Sequence, residues 1–133
     1  TLMADGFKDD VLYVFTGDFV DRGIQNGEVM KWAVQNLINR KNVVLIMGNH
    51  ELHLRRWSVG HVSVSKEFEL NTLPQILAEK VTPAQVYALV RKMHDFVFIN
   101  FNYTIICVSH AGVCQLPKVS EMYKVTSKAF GMD

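Results

Sequence analysis

The stretch VLYVFTGDFVDRG, Val11–Gly23, is an apolar run that stops abruptly in two aspartates and an arginine held between two glycines. Its first six residues, Val11–Thr16, are apolar, β-branched or aromatic and lie between KDD and GD, which predicts a buried strand. A strand that ends this way delivers charge to its carboxyl end. From Asn26 the period changes. Val29, Met30, Ala33, Val34, Leu37 and Ile38 recur on one helical face, with Asn26 as N-cap and Arg40 and Lys41 at the C-terminal end. NVVLIMG, Asn42–Gly48, is a second apolar run stopped by glycine. Strand, helix, strand in this order predicts a parallel pair joined by a right-handed crossover.

Further along, NHELHLRRW (49–57) begins a helix, and SVGHVSVSKEFELNTLPQ (58–75) predicts loop plus a short irregular helix interrupted at Pro74. TPAQVYALVRKMHDF is a helix with a full set of start signals. Thr82 caps it, Pro83 takes the first helical position, Gln85 completes a capping box, and Val86, Leu89, Val90 and Met93 form the buried stripe. FVFINF and YTIICVSH read as two strands of a hairpin turning at Asn102, and KVSEMYKVTSKAFGMD as a weak final helix. The expected class is α/β (α+β).

The bulk composition bounds the answer. A chain of 133 residues holds one domain with a real core. With 49% hydrophobic and 20% charged residues it is a compact folder, not a disordered chain. A net charge of +1 excludes a strong overall pull toward nucleic acid or anionic membrane and leaves only local patches open. No apolar run approaches the roughly 20 residues that span a bilayer; FVFINFNYTIICV is broken by two asparagines and a threonine. The opening TLMADGFKDD lacks the features of a signal peptide. Cys107 and Cys114 suit neither a disulfide framework nor a metal knuckle. They are expected as small buried residues with ordinary thiols, in a reducing, cytoplasmic setting.

Each apolar strand ends in a polar turn: GDFVDRG after the first, GNHE after the second, SHAG after the last. In open α/β sheets, sites gather at the carboxyl ends of strands. These turns can therefore bring Asp18, Asp21, Arg22, Asn49, His50, Glu51 and His110 into one cluster. Oxygen and imidazole donors without thiolate suit Mn²⁺, Fe, Zn²⁺ or Mg²⁺ rather than a structural zinc site. Taken singly, each turn has a plain alternative. GDFVDRG alone can be turn chemistry, GNHE alone a helix start capped by Asn49, and SHAG alone a loop histidine with ordinary partners. The ordered combination is much more specific than any one of them.

GDFVDRG, GNHE and SHAG resemble, in order and spacing, the signature motifs of metallophosphoesterases of the phosphoprotein phosphatase, or calcineurin-like, superfamily. That superfamily includes protein phosphatases, diadenosine tetraphosphatases and the phosphatase modules of polynucleotide repair enzymes. Ala111, where many members carry glycine, is closer to the bacterial and phage branches. The resemblance covers Val11 to about Val113. It implies a partial αββα sandwich of mixed sheets and two divalent metal ions in the complete enzyme, with manganese the first choice. Asp18 then resembles the bridging metal ligand, and Asn49 and His110 resemble ligands of the second metal. His50 resembles the proton donor to the leaving alkoxide, oriented by Asp21, and Arg22 the residue that grips phosphate oxygens. Glu51 is expected as a brace behind them. The implied reaction is hydrolysis of phosphomonoesters by a metal-bridging hydroxide. The phosphorylated substrate is a protein, a nucleotide or a polynucleotide end, with no membrane partner.

The family's first motif, GDxHG, and a later metal-binding histidine have no counterpart in this sequence. Residues 1–133 are therefore expected to be the central part of one catalytic domain, inactive alone, with an exposed sheet edge open to self-association. A reading from another class is a non-catalytic remnant that serves as an interaction module. Of the other histidines, His53 is expected on a helix surface, His61 has no assignment, and His94 is a favourable partner for a helix dipole. Arg55 and Arg56 are expected on a solvated helix face.

Overall fold

The computed structural model describes residues 2–112. Cys114 and the weak final helix expected from the sequence lie outside the described residues. In chain order the elements are α1 (Leu2–Asp5), β1 (Tyr13–Phe15), α2 (Asn26–Asn36), β2 (Val43–Leu45) and α3 (Glu51–Ser58). A π-helical turn (Phe68–Thr72) runs into α4 (Leu73–Ala78), followed by α5 (Pro83–Arg91) and the strands β3 (Phe96–Phe101) and β4 (Thr104–Ser109).

β1 and β2 pair in parallel, Tyr13 opposite Val43 and Phe15 opposite Leu45. This is the predicted strand–helix–strand unit, though β1 is shorter than the apolar run that announced it. β3 and β4 pair antiparallel from Phe96–Ser109 to Phe101–Thr104. A parallel bridge between Ile46 and His94 links the two pairs. The result is a mixed α/β architecture with small parallel and antiparallel sheets, consistent with a partial calcineurin-like fold.

Strand alternation separates two cores, because successive side chains point to opposite faces. Val43 and Leu45 join Met30, Ala33, Leu37, Leu54, Phe68, Ile76, Val86 and Leu89 under the helices, with Tyr13 and Phe15 packed against them. Val44 and Ile46 face the other way, onto Val97, with Leu12, Val14, Ile99 and Val108 around them. Helix α2 comes very close to α4: a Cβ on Gly27 would sit 2.2 Å from the Gln75 carbonyl oxygen.

The capping box of α5 is present as read, with Gln85 N–H donating to Thr82 and the Gln85 side chain accepting from the Thr82 N–H. Its stripe Val86, Leu89, Val90 and Met93 is buried. The hairpin turns at Asn102 and Tyr103, both with positive φ (47° and 63°), the backbone of a two-residue turn that follows strand twist.

Five expectations are corrected. Asn26 is not the N-cap of α2. Gln25 is, while Asn26 lies buried in the first turn and its amide donates to the Gly23 carbonyl at 2.8 Å. Pro74 does not interrupt the helix but is accommodated at the start of α4, where the π-helical turn passes into it. His94 lies beyond α5 and continues as backbone pairing, its N–H donating to Leu45 O and its carbonyl accepting from Met47 N–H, each at 2.8 Å. Cys107 is exposed, because the outer part of the hairpin is solvent-facing. His53 is half-buried rather than on the surface, its ring 6.0 Å from that of Phe68.

Candidate functional site

The site is assembled where β1 and β2 end side by side. The first turn leaves β1 through unusual backbone. Gly17 has φ 91°, and Asp18, Asp21 and Arg22 are also left-handed, at φ 57°, 80° and 64°. Non-glycine residues adopt this region at a cost, and such residues concentrate at functional sites.

The two turns touch at glycines. A Cβ on Gly17 would stand 2.5 Å from Gly48 N, and a Cβ on Gly48 would stand 2.6 Å from both Asp18 Oδ1 and Glu51 Oε2. No larger residue fits either position without moving the other turn.

Glu51, fully buried at the start of α3, braces both turns. Its Oε2 accepts from Asp18 N–H at 2.8 Å and Gly48 N–H at 2.9 Å, and its Oε1 accepts from Phe19 N–H at 2.7 Å. Three backbone donors, one buried and two part-buried, thus meet one side chain. The same carboxyl group favours the positive end of α3.

Asp21 carries the second pairing. Its side chain is 1% exposed, and Oδ2 lies 2.5 Å from His50 Nδ1. Oδ1 accepts the hydroxyl of buried Thr72. With Nδ1 turned to Asp21, the His50 ring presents Nε2 as its free edge. Arg22 is exposed beside this pair, its backbone N–H donating to Glu67 Oε1 at 2.6 Å.

His110 reaches the site from the end of β4. Its Nδ1 lies 2.8 Å from the Thr16 carbonyl oxygen, so that nitrogen donates. Nε2 lies 3.0 Å from Asn49 Oδ1 and 3.5 Å from Asp18 Oδ1. Three donor atoms from three turns therefore point at one another. A backbone carbonyl that fixes the imidazole tautomer is the usual support behind a metal-ligating histidine. Two oxygens and an imidazole nitrogen suit a hard or borderline divalent cation. Among the described residues no group of three or more His, Cys, Asp or Glu side chains gathers as a metal centre, since one donor here is the amide Asn49. Asp18, Asn49 and His110 form one group of side chains, and Asp21 with His50 a second, drawn from the same two turns.

A shallow cavity of about 410 Å³ borders the first group, lined by Leu52 and Phe96 as well as Asn49 and His110. His61, Arg55 and Arg56 are exposed. Sequence reasoning missed the polar side chains that hold the first turn from behind, Glu67, Asn71, Thr72 and Gln75. The fourfold spacing of 67, 71 and 75 was the available signal, hidden in a stretch that reads as loop.

The chain belongs to the calcineurin-like phosphoesterase family, whose sequence pattern matches residues 3–126. One relative is a symmetrical bis(5'-nucleosyl)-tetraphosphatase of Chromobacterium violaceum, 38% identical over 58 residues. That match covers 44% of this chain and 20% of the relative's length. No solved structure gives a significant match.

Proposed function

We propose that this protein is a metal-dependent phosphoesterase acting on phosphomonoesters, with Asp18, Asn49 and His110 as metal ligands. The observation that carries the reading is the approach of His110 Nε2 to Asn49 Oδ1 and Asp18 Oδ1, at 3.0 and 3.5 Å, from three separate strand ends. When bound, two divalent cations supply charge that polarises phosphoryl oxygens and lowers the pKa of water. Manganese is the first choice, with iron, zinc and magnesium as alternatives for this donor set.

The protein's own residues do the rest. Arg22 offers a planar fork to phosphate oxygens. His50 holds a proton at Nε2 for the leaving alkoxide, while Asp21 at Nδ1 keeps the ring oriented. A second reading, a nucleotide or polynucleotide-end phosphatase, is favoured by the 58-residue match to a dinucleoside tetraphosphatase.

The test is phosphate release with Mn²⁺, by the complete enzyme that contains residues 1–133, from an aryl phosphate, a phosphoserine peptide, a dinucleoside tetraphosphate and a phosphorylated oligonucleotide. Preference among these assigns the substrate class. Hydrolysis of none of them, with Mn²⁺, Fe, Zn²⁺ or Mg²⁺, would sink the enzyme reading and leave the interaction-module alternative.

A further inference from the structure

The geometry points to a positioning function for the π-helical turn and α4: Glu67, Asn71, Thr72 and Gln75 form a polar ridge that locks Asp21, Arg22 and Gly23 in their working conformation. Its consequence in catalysis rests on the phosphoesterase reading, and its structural half on the hydrogen bonds of the loop alone.

Asp21 and Arg22 are consecutive non-glycine residues in left-handed backbone, φ 80° and 64°. An exposed turn has no intrinsic reason to stay there; the surroundings must over-determine it. The ridge does so at every polar atom it meets. Glu67 Oε1 accepts from Arg22 N–H at 2.6 Å. The Gly23 carbonyl accepts from Asn71 Nδ2 at 3.1 Å and Gln75 Nε2 at 3.2 Å, besides Asn26 Nδ2 at 2.8 Å. Thr72 donates to Asp21 Oδ1, leaving Oδ2 for His50.

The ridge is also tied along itself. Asn71 Nδ2 donates to Glu67 Oε1 at 2.7 Å, and Gln75 Nε2 donates to Asn71 Oδ1 at 2.8 Å. Gln75 Oε1 accepts from Asn26 N–H at 2.7 Å, joining the ridge to α2. The π-helical geometry has a use here. π-helical turns occur frequently at functional sites, and here the turn carries both Asn71 and Thr72 to the loop. None of the four residues needs to touch phosphate. They act through Asp21 and Arg22, and are positioning residues.

Two measurements on the full chain test this. The first is native-state trypsin cleavage of the Arg22–Gly23 bond, which follows the population of the opened loop. Glu67→Leu removes the acceptor, whereas Glu67→Gln keeps an Oε1 in place. The expected result is cleavage about tenfold faster in Glu67→Leu, the size of one lost hydrogen bond, and close to wild type in Glu67→Gln. Equal cleavage in all three proteins overturns the proposal, as does acceleration at every lysine and arginine alike, which is global destabilisation.

The second is turnover of an alkyl and an aryl phosphate with Mn²⁺. Thr72→Val should lower kcat for the alkyl ester about tenfold with KM nearly unchanged, and lower it less for the aryl ester, which needs less protonation. Thr72→Ser should restore it. Unchanged turnover in Thr72→Val overturns the role of Thr72. If the complete wild-type enzyme that contains residues 1–133 hydrolyses neither ester, the phosphoesterase reading fails, and the trypsin comparison still decides whether the ridge holds the loop. A Thr72→Val protein that does not fold leaves the Glu67 pair to decide.

Discussion

The paired turns Gly17–Gly23 and Gly48–Glu51 and the hairpin β3–β4 are built on opposite principles. The first turn holds left-handed backbone, yet its polar atoms meet fixed partners, buried Glu51 and Thr72 and the more exposed Glu67. The hairpin has six paired positions and ordinary geometry, but its far end exposes Phe101, Tyr103, Ile105 and Ile106. Only its near end, where His110 meets Thr16 and Asn49, enters the site. The polar residues of the turns are held by long-range polar cross-links more than by secondary structure.

The largest test of that contrast is Glu51→Leu. It leaves the N–H groups of Asp18, Phe19 and Gly48 without an acceptor, at about 1–3 kcal/mol each. Urea denaturation should show a loss of roughly 3 kcal/mol or more. A loss below about 0.5 kcal/mol, the range of a neutral surface change, would mean that the turns stand without their brace.

His50→Asn asks whether the second pairing serves chemistry rather than folding. Turnover of an alkyl phosphate should fall about 10²–10⁴-fold, with a smaller loss for an aryl phosphate and metal content nearly unchanged. Equal losses for both esters would count against proton donation by His50.

Gly48→Ala probes the contact between the turns. The new Cβ would meet Asp18 Oδ1 and Glu51 Oε2 at 2.6 Å, and overpacking of this kind costs about 1–3 kcal/mol. Weaker Mn²⁺ binding by calorimetry should accompany it, because Asp18 must shift. Wild-type stability together with wild-type metal affinity would show that the turns have room to spare.

Lys92, remote from both regions, provides a pH test of the same principle. Its Nζ donates to Leu37 O at 2.5 Å and Arg40 O at 2.7 Å, closing the end of α2. Burial first, and Arg40 second, lower its pKa from 10.5. Between the lowered value and 10.5 the unfolded chain binds more protons, so this group's contribution to stability rises with pH. Lys92→Met should cost about 1 kcal/mol near neutrality and remove that alkaline rise from denaturation curves. A rise of the same size in the variant would assign it to other groups.

The smallest effect is expected in the hairpin. Ile105 is 57% exposed, and Ile105→Thr should change stability by no more than about 0.5 kcal/mol. A clearly larger loss would place the outer hairpin among the buried regions and erase the contrast.

Much of this was legible in the residues themselves. The apolar runs and glycine stops marked β1 and β2, and the Thr82–Gln85 spacing marked α5 to its first residue. The motif order pointed to the cluster of Asp18, Asp21, Asn49, His50 and His110. Other features were not legible. Asn26 has the composition of an N-cap, but its amide is claimed by Gly23 and its N–H by Gln75, a residue 49 positions away. Cys107 has the composition of a buried residue, but lies on the outer part of a strand that solvent reaches. The stretch 58–75 lacks clean periodicity because part of it is a π-helical turn, whose repeat matches neither helical nor strand spacing.

By itself, then, the sequence determined the strand–helix–strand unit, α5 and the hairpin, the polar turns that follow the strands, and the family the chain resembles. These depend on period, propensity and motif order within a few residues of one another. Only the tertiary structure decided how the turns are held. Glu51 reaches back 33 residues to Asp18, Thr72 reaches 51 to Asp21, and His110 reaches 94 to Thr16. The physical reason is that a long-range hydrogen bond depends on where two atoms meet in space, and no local spacing encodes which distant partner will satisfy a strained backbone.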